Sequence, residues 1–380
     1  MQNNIRGGNY VSTWNLKDIS KEQLVQLEER YGLDAIEASI FIRRGITAGK
    51  DILFFLEDDL RFQQSPFSFT GMEEAVDRIN DAIEGKEKIL IFGDKDVDGV
   101  TATTVLYDYL VSEGADVRYR LPQGNEAYGL SMEAVDSFAA DYGSLIITVD
   151  CGISNIAEVA HAAELGLEVI VTDHHEPQEA LPSPAIILDP KCPGLVHRNF
   201  FKDISGCAVA YKLVSALRFS KSGWYKQPVT LLDVIPEGGA ILVNCLKTRN
   251  LFPTSGILTE RIDASTGAES SAIPTFLKGQ LIAVWDRETV EGLLRQSFFS
   301  GADFELHDIR RLISELVPSF ASMPLAKLKD MSKIAKYGNH PPTQIGSLYN
   351  IFVTYAQMDL KRKLPELGAQ EEKDMQLVAL

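Results

Sequence analysis

Short apolar runs alternate with helix-spaced stretches from residue 88 onward. The runs at 88–92, 116–121, 144–149, 168–172 and 185–188 have the length and continuous apolar character of buried strands. Between them, 101–113, 131–141 and 156–165 carry apolar residues at helical intervals, and Thr101 stands where a cap would open the first. This alternation predicts right-handed βαβ units, hence an α/β domain with a mostly parallel sheet flanked by helices. Upstream, 21–31 and 33–44 have helical spacing, and Arg43-Arg44-Gly45 ends the second. Pro66 and the Ser and Thr after it then break the pattern. Residues 71–84 predict an amphipathic helix with Met72, Ala75, Ile79, Ala82 and Ile83 on one side.

Past Asp203, the stretch GCAVAYKLVSALRF reads as a packed helix, broken at 221–227. A different segment follows, with an apolar run at 240–246 and helical stretches at 288–295, 308–316, 325–334 and 345–363. The expected organisation is an N-terminal extension (1–70), the sheet domain (71–225), an inserted α/β or α+β domain (226–362) and a connecting segment (363–380). The last residues begin acidic and end in MQLVAL, an apolar run expected to lead into further structure.

Composition narrows the class. A length of 380 residues suits two or three domains, and 45% hydrophobic with 24% charged residues is ordinary for a globular protein. No apolar run is long enough to span a bilayer, and MQNNIRGGNY has no signal-peptide core. The four cysteines, Cys151, Cys192, Cys207 and Cys245, form no CxxC pair, so reduced thiols and a cytoplasmic location are expected. A formal net charge of −16 argues against adhesion to nucleic acid over the whole surface. It leaves room for a local basic groove or for a metal site that recruits phosphate.

Candidate chemistry gathers at strand ends. The run ILIF ends in GDKDVDG, with Asp94, Asp96 and Asp98 at alternate positions; Val149 leads into Asp150-Cys151-Gly152, Thr172 into Asp173-His174-His175, and Leu188 into Asp189-Pro190-Lys191. Open parallel sheets place ligands beyond the carboxyl ends of their strands. Any one of these aspartates could be a helix cap or part of an acidic turn. Together they put Asp94, Asp96, Asp98, Asp150, His174 and His175 on one rim. Carboxylate oxygens with imidazole nitrogens suit Mn²⁺ or Mg²⁺, with Zn²⁺ a lesser fit. The donors suffice for two cations, the arrangement that supports in-line displacement at phosphorus, with Asp150 placed to bridge. His175 could contact a phosphate oxygen or protonate a leaving group.

In order and spacing, GDKDVDGVT, TVDCG and VTDHH resemble the first three motifs of the DHH phosphoesterase superfamily. Within it the chain looks like the RecJ-type exonucleases that degrade single-stranded DNA from 5′ to 3′. Trp14, the RRG at 43–45, residues 72–83, LPQGNEAYGL at 121–130 and FKDISGCAVAYKL at 201–213 support the likeness. The resemblance implies metal ligation by Asp96, Asp98, Asp150 and His174, with Asp94, Asp173 and His175 as catalytic members of the same motifs. It implies a role in DNA repair and recombination. Single-stranded DNA is the implied partner, and a single-strand-binding protein or a helicase are candidate protein partners. Lys95 stands where the family commonly has an aromatic residue, and Gln123-Gly124-Asn125 replaces a segment that often carries Arg. Relatives continue past a VAL-like run into GTIAD, the fourth metal motif, and then a second domain. By that likeness the chain is an N-terminal portion.

The inserted segment vaguely resembles a DnaQ-like 3′→5′ exonuclease fold in degenerate form. Its first strand, taken as 240–246, should carry Asp-x-Glu and instead holds Val243-Asn244-Cys245; Asp286 and Asp308 are the remaining carboxylates. The expectation is a non-catalytic insertion. Three functions compete on these grounds: a RecJ-type nuclease, a catalytically impaired nucleic-acid-binding fragment, and a phosphodiesterase acting on small nucleotides.

Overall fold

Chain contacts divide the protein into two units, with the boundary after residue 63. The computed structural model describes residues 4–7, 10–13, 16–56, 64–197, 202–263, 271–297, 304–315, 318–325, 327 and 344–363. Trp14, Phe201, most of the helical stretch at 325–334 and the segment 364–380 lie outside the described residues.

In the first unit, β1 (Asn4–Gly7) and β2 (Tyr10–Thr13) pair antiparallel, a hairpin the apolar pattern did not announce. Three helices follow: α1 (Lys21–Tyr31), α2 (Ala35–Arg43) and α3 (Gly49–Leu56). Ser20 caps α1, and Gly32 ends it at φ 70°, the left-handed conformation that glycine adopts at no steric cost. Asp34 and Glu37 form a reciprocal capping box, which starts α2 two residues later than its apolar spacing predicts. Leu27, Leu33, Ala38 and Ile52 close a small core of their own.

The second unit opens with a 3₁₀ turn at Pro66–Ser68 and then α4 (Met72–Glu84). Residues 64–70, assigned above to the extension, belong here, because Phe69 is 2% exposed in the main core. Five strands and three helices alternate as the pattern predicts: β3 (Lys88–Gly93), α5 (Val97–Ser112), β4 (Asp116–Arg120), α6 (Met132–Ala140), β5 (Leu145–Val149), α7 (Ile156–Glu164), β6 (Glu168–Thr172) and β7 (Ile186–Leu188). The sheet is all parallel, in the order β4-β3-β5-β6-β7. α8 (Gly206–Ser220) packs with α4 and α5 on one face, where Ile79, Leu106, Ile147 and Leu213 are fully buried. The other face is filled by Val135, Ile146, Val159 and Val171 from the strands and α6 and α7. Both faces are thus dry, which is why β3, β5 and β6 read as unbroken apolar runs. Strand order reverses between β3 and β5, and the carboxyl side of that switch point is where doubly wound sheets bind ligands.

A mixed second sheet follows: β8 (Pro228–Glu237), β9 (Ala240–Arg249), the two-residue β10 (Phe252–Pro253), β11 (Leu258–Asp263), α9 (Ile273–Leu277), β12 (Leu281–Val284), α10 (Arg287–Ser297), β13 (Leu306–Asp308), α11 (Ile309–Ser314) and α12 (Gln344–Lys363). β9 runs antiparallel to β8, β10 and β11, whereas β12 pairs parallel with β8 on one side and β13 on the other. The first strand is therefore β8, not the 240–246 run. Pro236 and the in-strand Asp233 obscured it; Gly238 and Gly239, both at positive φ, supply the tight hairpin turn that links it to β9. The first strand thus carries Asp233, which accepts from Gln344 and stands opposite Asn244, and ends on Glu237. Asp286 pairs with Arg310 at 3.0 Å and accepts from the Thr289 amide at the start of α10, while Asp308 caps α11 and accepts from the Arg287 amide. Among the described residues, no three metal-ligating side chains converge in this sheet.

Charge on α4 joins the two sheets. Glu73 accepts from Arg249 through both oxygens at 2.8–3.1 Å and from Asn250 at 2.7 Å, while Asp77, one turn on, accepts from Tyr225 and Lys226. Arg249 and Asn250 sit at the β9–β10 bend, where Asn250 and Leu251 are both at positive φ. Glu73→Ala is expected to lower the unfolding free energy by about 1–3 kcal/mol, because it strips a charged acceptor from three donors. Urea denaturation measures this, and an unchanged midpoint would show the clamp to be energetically idle.

Candidate metal centre

The first motif folds as strand, sharp turn and helix. The sequence reading opened the helix at Thr101; α5 begins at Val97, because Asp96 wins the cap by accepting the Gly99 amide at 2.9 Å. Thr101 lies inside the first turns and donates back to Val97 O at 2.7 Å. Gly99 is required sterically, since a Cβ there would come 2.7 Å from Asp94 Cα. Asp94, 8% exposed, leaves a buried Oδ1 with no hydrogen-bond donor among the described residues. Asp98 reaches across to α8, accepting the Gly206 amide at 2.8 Å and the Cys207 amide at 2.7 Å. A carboxylate on the amino end of a helix is favoured by both its free amides and its dipole.

Asp150 follows β5 directly. Its backbone is left-handed, at φ 57°, and its amide donates to Thr172 O. Non-glycine residues hold that conformation only where the surroundings impose it, and such positions cluster at functional sites. The side chain is 1% exposed and lies against Gly206, where any Cβ would run into the carboxylate. Burial raises the Asp150 pKa above the ordinary range, and Asp98 and Asp96 push it the same way against the pull of His174.

The third motif orients two imidazoles by different means. Asp173 is fully buried and accepts the amides of Ile153, His174 and His175 and the Nδ1 of His175 at 2.6 Å. Burial alone would raise its pKa; the His175 ring and those amides hold it below the usual carboxylate range. Both of its oxygens are engaged by these donors. The Tyr128 hydroxyl donates to Asp150 O at 3.0 Å and stands 3.0 Å from the same His175 nitrogen. His174 Nε2 lies 3.0 Å from Asp150 Oδ1 and 3.6 Å from Asp98 Oδ2. Neighbouring Asp150 raises the His174 pKa, and Asp173 raises that of His175.

Two groups of donors result, each with ligand atoms within 4.8 Å of one another: Asp94, Asp96 and Asp150, and Asp150, His174 and His175. They share Asp150, as its place on the middle strand led one to expect. Asp96 belongs to the first group and His174 to the second. Asp98 stands outside both groups, its two oxygens turned to α8, and Asp94 joins the first. The donor chemistry fits hard divalent cations: the buried carboxylates of Asp94 and Asp150 and the exposed one of Asp96 lie near the imidazoles of His174 and His175, with no thiolate in either group. Sequence reasoning gave no role to Gly206 or Tyr128, and it noted Asp189 only as a polar strand ending. Tyr128 and Gly206 lay in stretches already singled out, but only the fold shows what they touch. Asp189 is fully buried at the end of β7, its Oδ2 without a donor among the described residues, and burial raises its pKa to about 6.

The parallel sheet with its carboxylate–imidazole cluster beyond the switch point is an α/β domain carrying a candidate divalent-metal site. Residues 88–235 match the DHH family, N-terminal domain. The chain is 40% identical over 205 residues to the single-stranded-DNA-specific exonuclease RecJ of Bacillus subtilis, covering 54% of this chain and 26% of that protein. It is 36% identical over 227 residues to RecJ of Escherichia coli, covering 57% and 38%. The chain thus spans well under half the length of these relatives. Among solved structures it is similar to an exonuclease RecJ bound to manganese, with 36% identity and a TM-score of 0.37 over 40% of this chain and 38% of that one. RecJ from Thermus thermophilus with Mn²⁺ gives 30% identity and a TM-score of 0.40 over 53% and 27%.

Two substitutions probe the site. Gly206→Ala should displace the Asp150 carboxylate and weaken Mn²⁺ binding by about 10–100-fold, as loss of a ligand's support commonly does. Isothermal titration reads this, and unchanged affinity would show the contact to be dispensable. Asp189 has a folded pKa above its unfolded value, so the folded state binds its proton more tightly. Its contribution is most favourable below about pH 4, declines as pH rises to about 6, and stays low above that. Asp189→Asn should therefore add about 1–3 kcal/mol at pH 7 and flatten the pH 4–6 window. Urea unfolding across that range tests it.

Proposed function

We propose that this chain carries the catalytic domain of a metal-dependent phosphodiesterase that removes nucleotides from the 5′ end of single-stranded DNA. The observation that carries the reading is the pair of donor groups, Asp94–Asp96–Asp150 and Asp150–His174–His175, which share Asp150 beyond the switch of a parallel sheet. The likeness to proteins named single-stranded-DNA-specific exonuclease RecJ supports the substrate, and the direction of cleavage is what the resemblance to the RecJ type implies.

Asp94, Asp96, Asp150 and His174 would hold Mn²⁺ or Mg²⁺, and such ions activate water and neutralise charge on a phosphoryl group. The protein's own residues do the rest. Asp173 fixes Nδ1 of His175, leaving Nε2 to hydrogen-bond a phosphate oxygen or to pass a proton to the leaving oxygen. The raised His175 pKa favours the protonated form that such a donor needs. Asp98, by holding α8, keeps Gly206 against Asp150 and the bridging carboxylate in place. We read the second sheet as a non-catalytic part of the same machine, because Asp286 and Asp308 are committed to Arg310 and to helix caps.

A 5′-phosphorylated, 3′-labelled single strand incubated with the chain and Mn²⁺ should be shortened from its 5′ end. Asp150→Asn should reduce the rate by at least about 10³-fold and abolish the calorimetric Mn²⁺ signal, since it removes the carboxylate common to both donor groups. Preferential hydrolysis of a cyclic dinucleotide, or strand cleavage that survives Asp150→Asn, would overturn the assignment.

A further inference from the structure

A cavity of about 450 Å³ opens beside the metal-site loop, lined by Lys95, Tyr119, Arg120, Leu121, Pro122 and Gln123. We propose that it is a nucleotide subsite: it takes the base and phosphate adjacent to the phosphodiester held at the donor cluster. This rests on the function proposed above and names how that site would grip its strand.

Position is the first support. Lys95 lies between Asp94 and Asp96, and Tyr119 and Arg120 end β4, the strand hydrogen-bonded to β3 in parallel register. The cavity therefore shares the carboxyl-end rim with the donor cluster. A polymer lying across that rim meets both.

Chemistry is the second. Tyr119 is 56% exposed on the edge strand of the sheet, and Tyr107 holds its ring edge-on at 5.2 Å. An exposed, braced aromatic face is what a nucleobase stacks on, whatever its sequence. Lys95 is exposed, with a long 3.5 Å hydrogen bond to Gly124 O, so little ties its ammonium down. Arg120 is held by Glu126 at 3.1 Å, with Glu133 at 3.8 Å. Glu126 also accepts the Gln123 amide, which fixes the loop that forms the cavity's outer wall. On a chain of net charge −16, a cationic hollow with an aromatic wall next to acidic ligands is selective. It draws a phosphate toward the rim without making the rest of the surface adhesive. The volume suits one nucleotide, within the range of small-ligand clefts.

The test uses the full chain with Mn²⁺ and a 3′-fluorescein dT₁₀ whose phosphorothioate linkages resist hydrolysis, read by anisotropy. Tyr119→Ala should weaken binding by about 5–100-fold, and Tyr119→Phe, which keeps the stacking face, should bind as wild type. Lys95→Ala should reduce the slope of log affinity against log salt by about 0.7, the value for one phosphate contact on a single strand. Mn²⁺ affinity should be unchanged in all three variants. Binding of the Tyr119→Ala variant within twofold of wild type, an equal loss in Tyr119→Phe, an unaltered salt slope in Lys95→Ala, or no strand binding by a wild type that binds Mn²⁺ would each overturn the subsite. Absence of Mn²⁺ binding by the wild type would instead overturn the function on which it rests.

Discussion

The Asp98 carboxylate on the first two amides of α8 is the contact on which the site depends. Carboxylates at 94, 96 and 98 repel one another, and the fold separates them by giving each a different task. Asp96 caps its own helix, Asp98 is neutralised by a second helix, and Asp94 is left buried with an oxygen lacking a donor. Because Asp98 brings α8 in at this point, Gly206 presses on Asp150, and Asp150 is fixed beside His174. A local electrostatic problem in one loop is thus solved by a contact 108 residues away in sequence, and that solution shapes the neighbouring motif.

Backbone and side chain cooperate in the same way at the other two strand ends. Asp150 holds a left-handed conformation while its amide continues the sheet pairing to Thr172. Asp173 orients its neighbours, since three amides and an imidazole engage both of its oxygens. Most of the supporting hydrogen bonds come from backbone donors, which cannot swing away as side chains do. Preorganisation of this kind is what metal and phosphate sites require.

The parallel sheet was legible because burial on both faces leaves no room for polar residues inside β3, β5 or β6. Polar groups collect at their carboxyl ends, and Asp94, Asp150 and Asp173–His175 appear in the sequence as abrupt endings to apolar runs. What stayed hidden was long-range or overwritten by local signals. Thr101 is a better cap by type than by position, and Asp96 took the role through its geometry. β8 was obscured by Pro236 and Asp233, although the Gly238-Gly239 turn marked a hairpin. Gly206 and Tyr128 carry no local mark of their contacts, which arise only when segments distant in sequence are brought together. Phe69 followed a proline and serine stretch and still entered the core, since tertiary packing decides where a domain begins.

The Glu73–Asp77 face of α4 bears on how such a chain could be cut or inherited. Four side chains from the linker and second sheet — Tyr225, Lys226, Arg249 and Asn250 — satisfy two carboxylates one helical turn apart. A minimal protein trimmed back to the parallel sheet would expose that pair as neighbouring like charges on one helix, a destabilising arrangement. The second sheet is in this sense a counterion to the first. Domain shuffling that removed it would be tolerated only with compensating changes on α4, so the acidity of that face and the presence of the second sheet are expected to be gained or lost together.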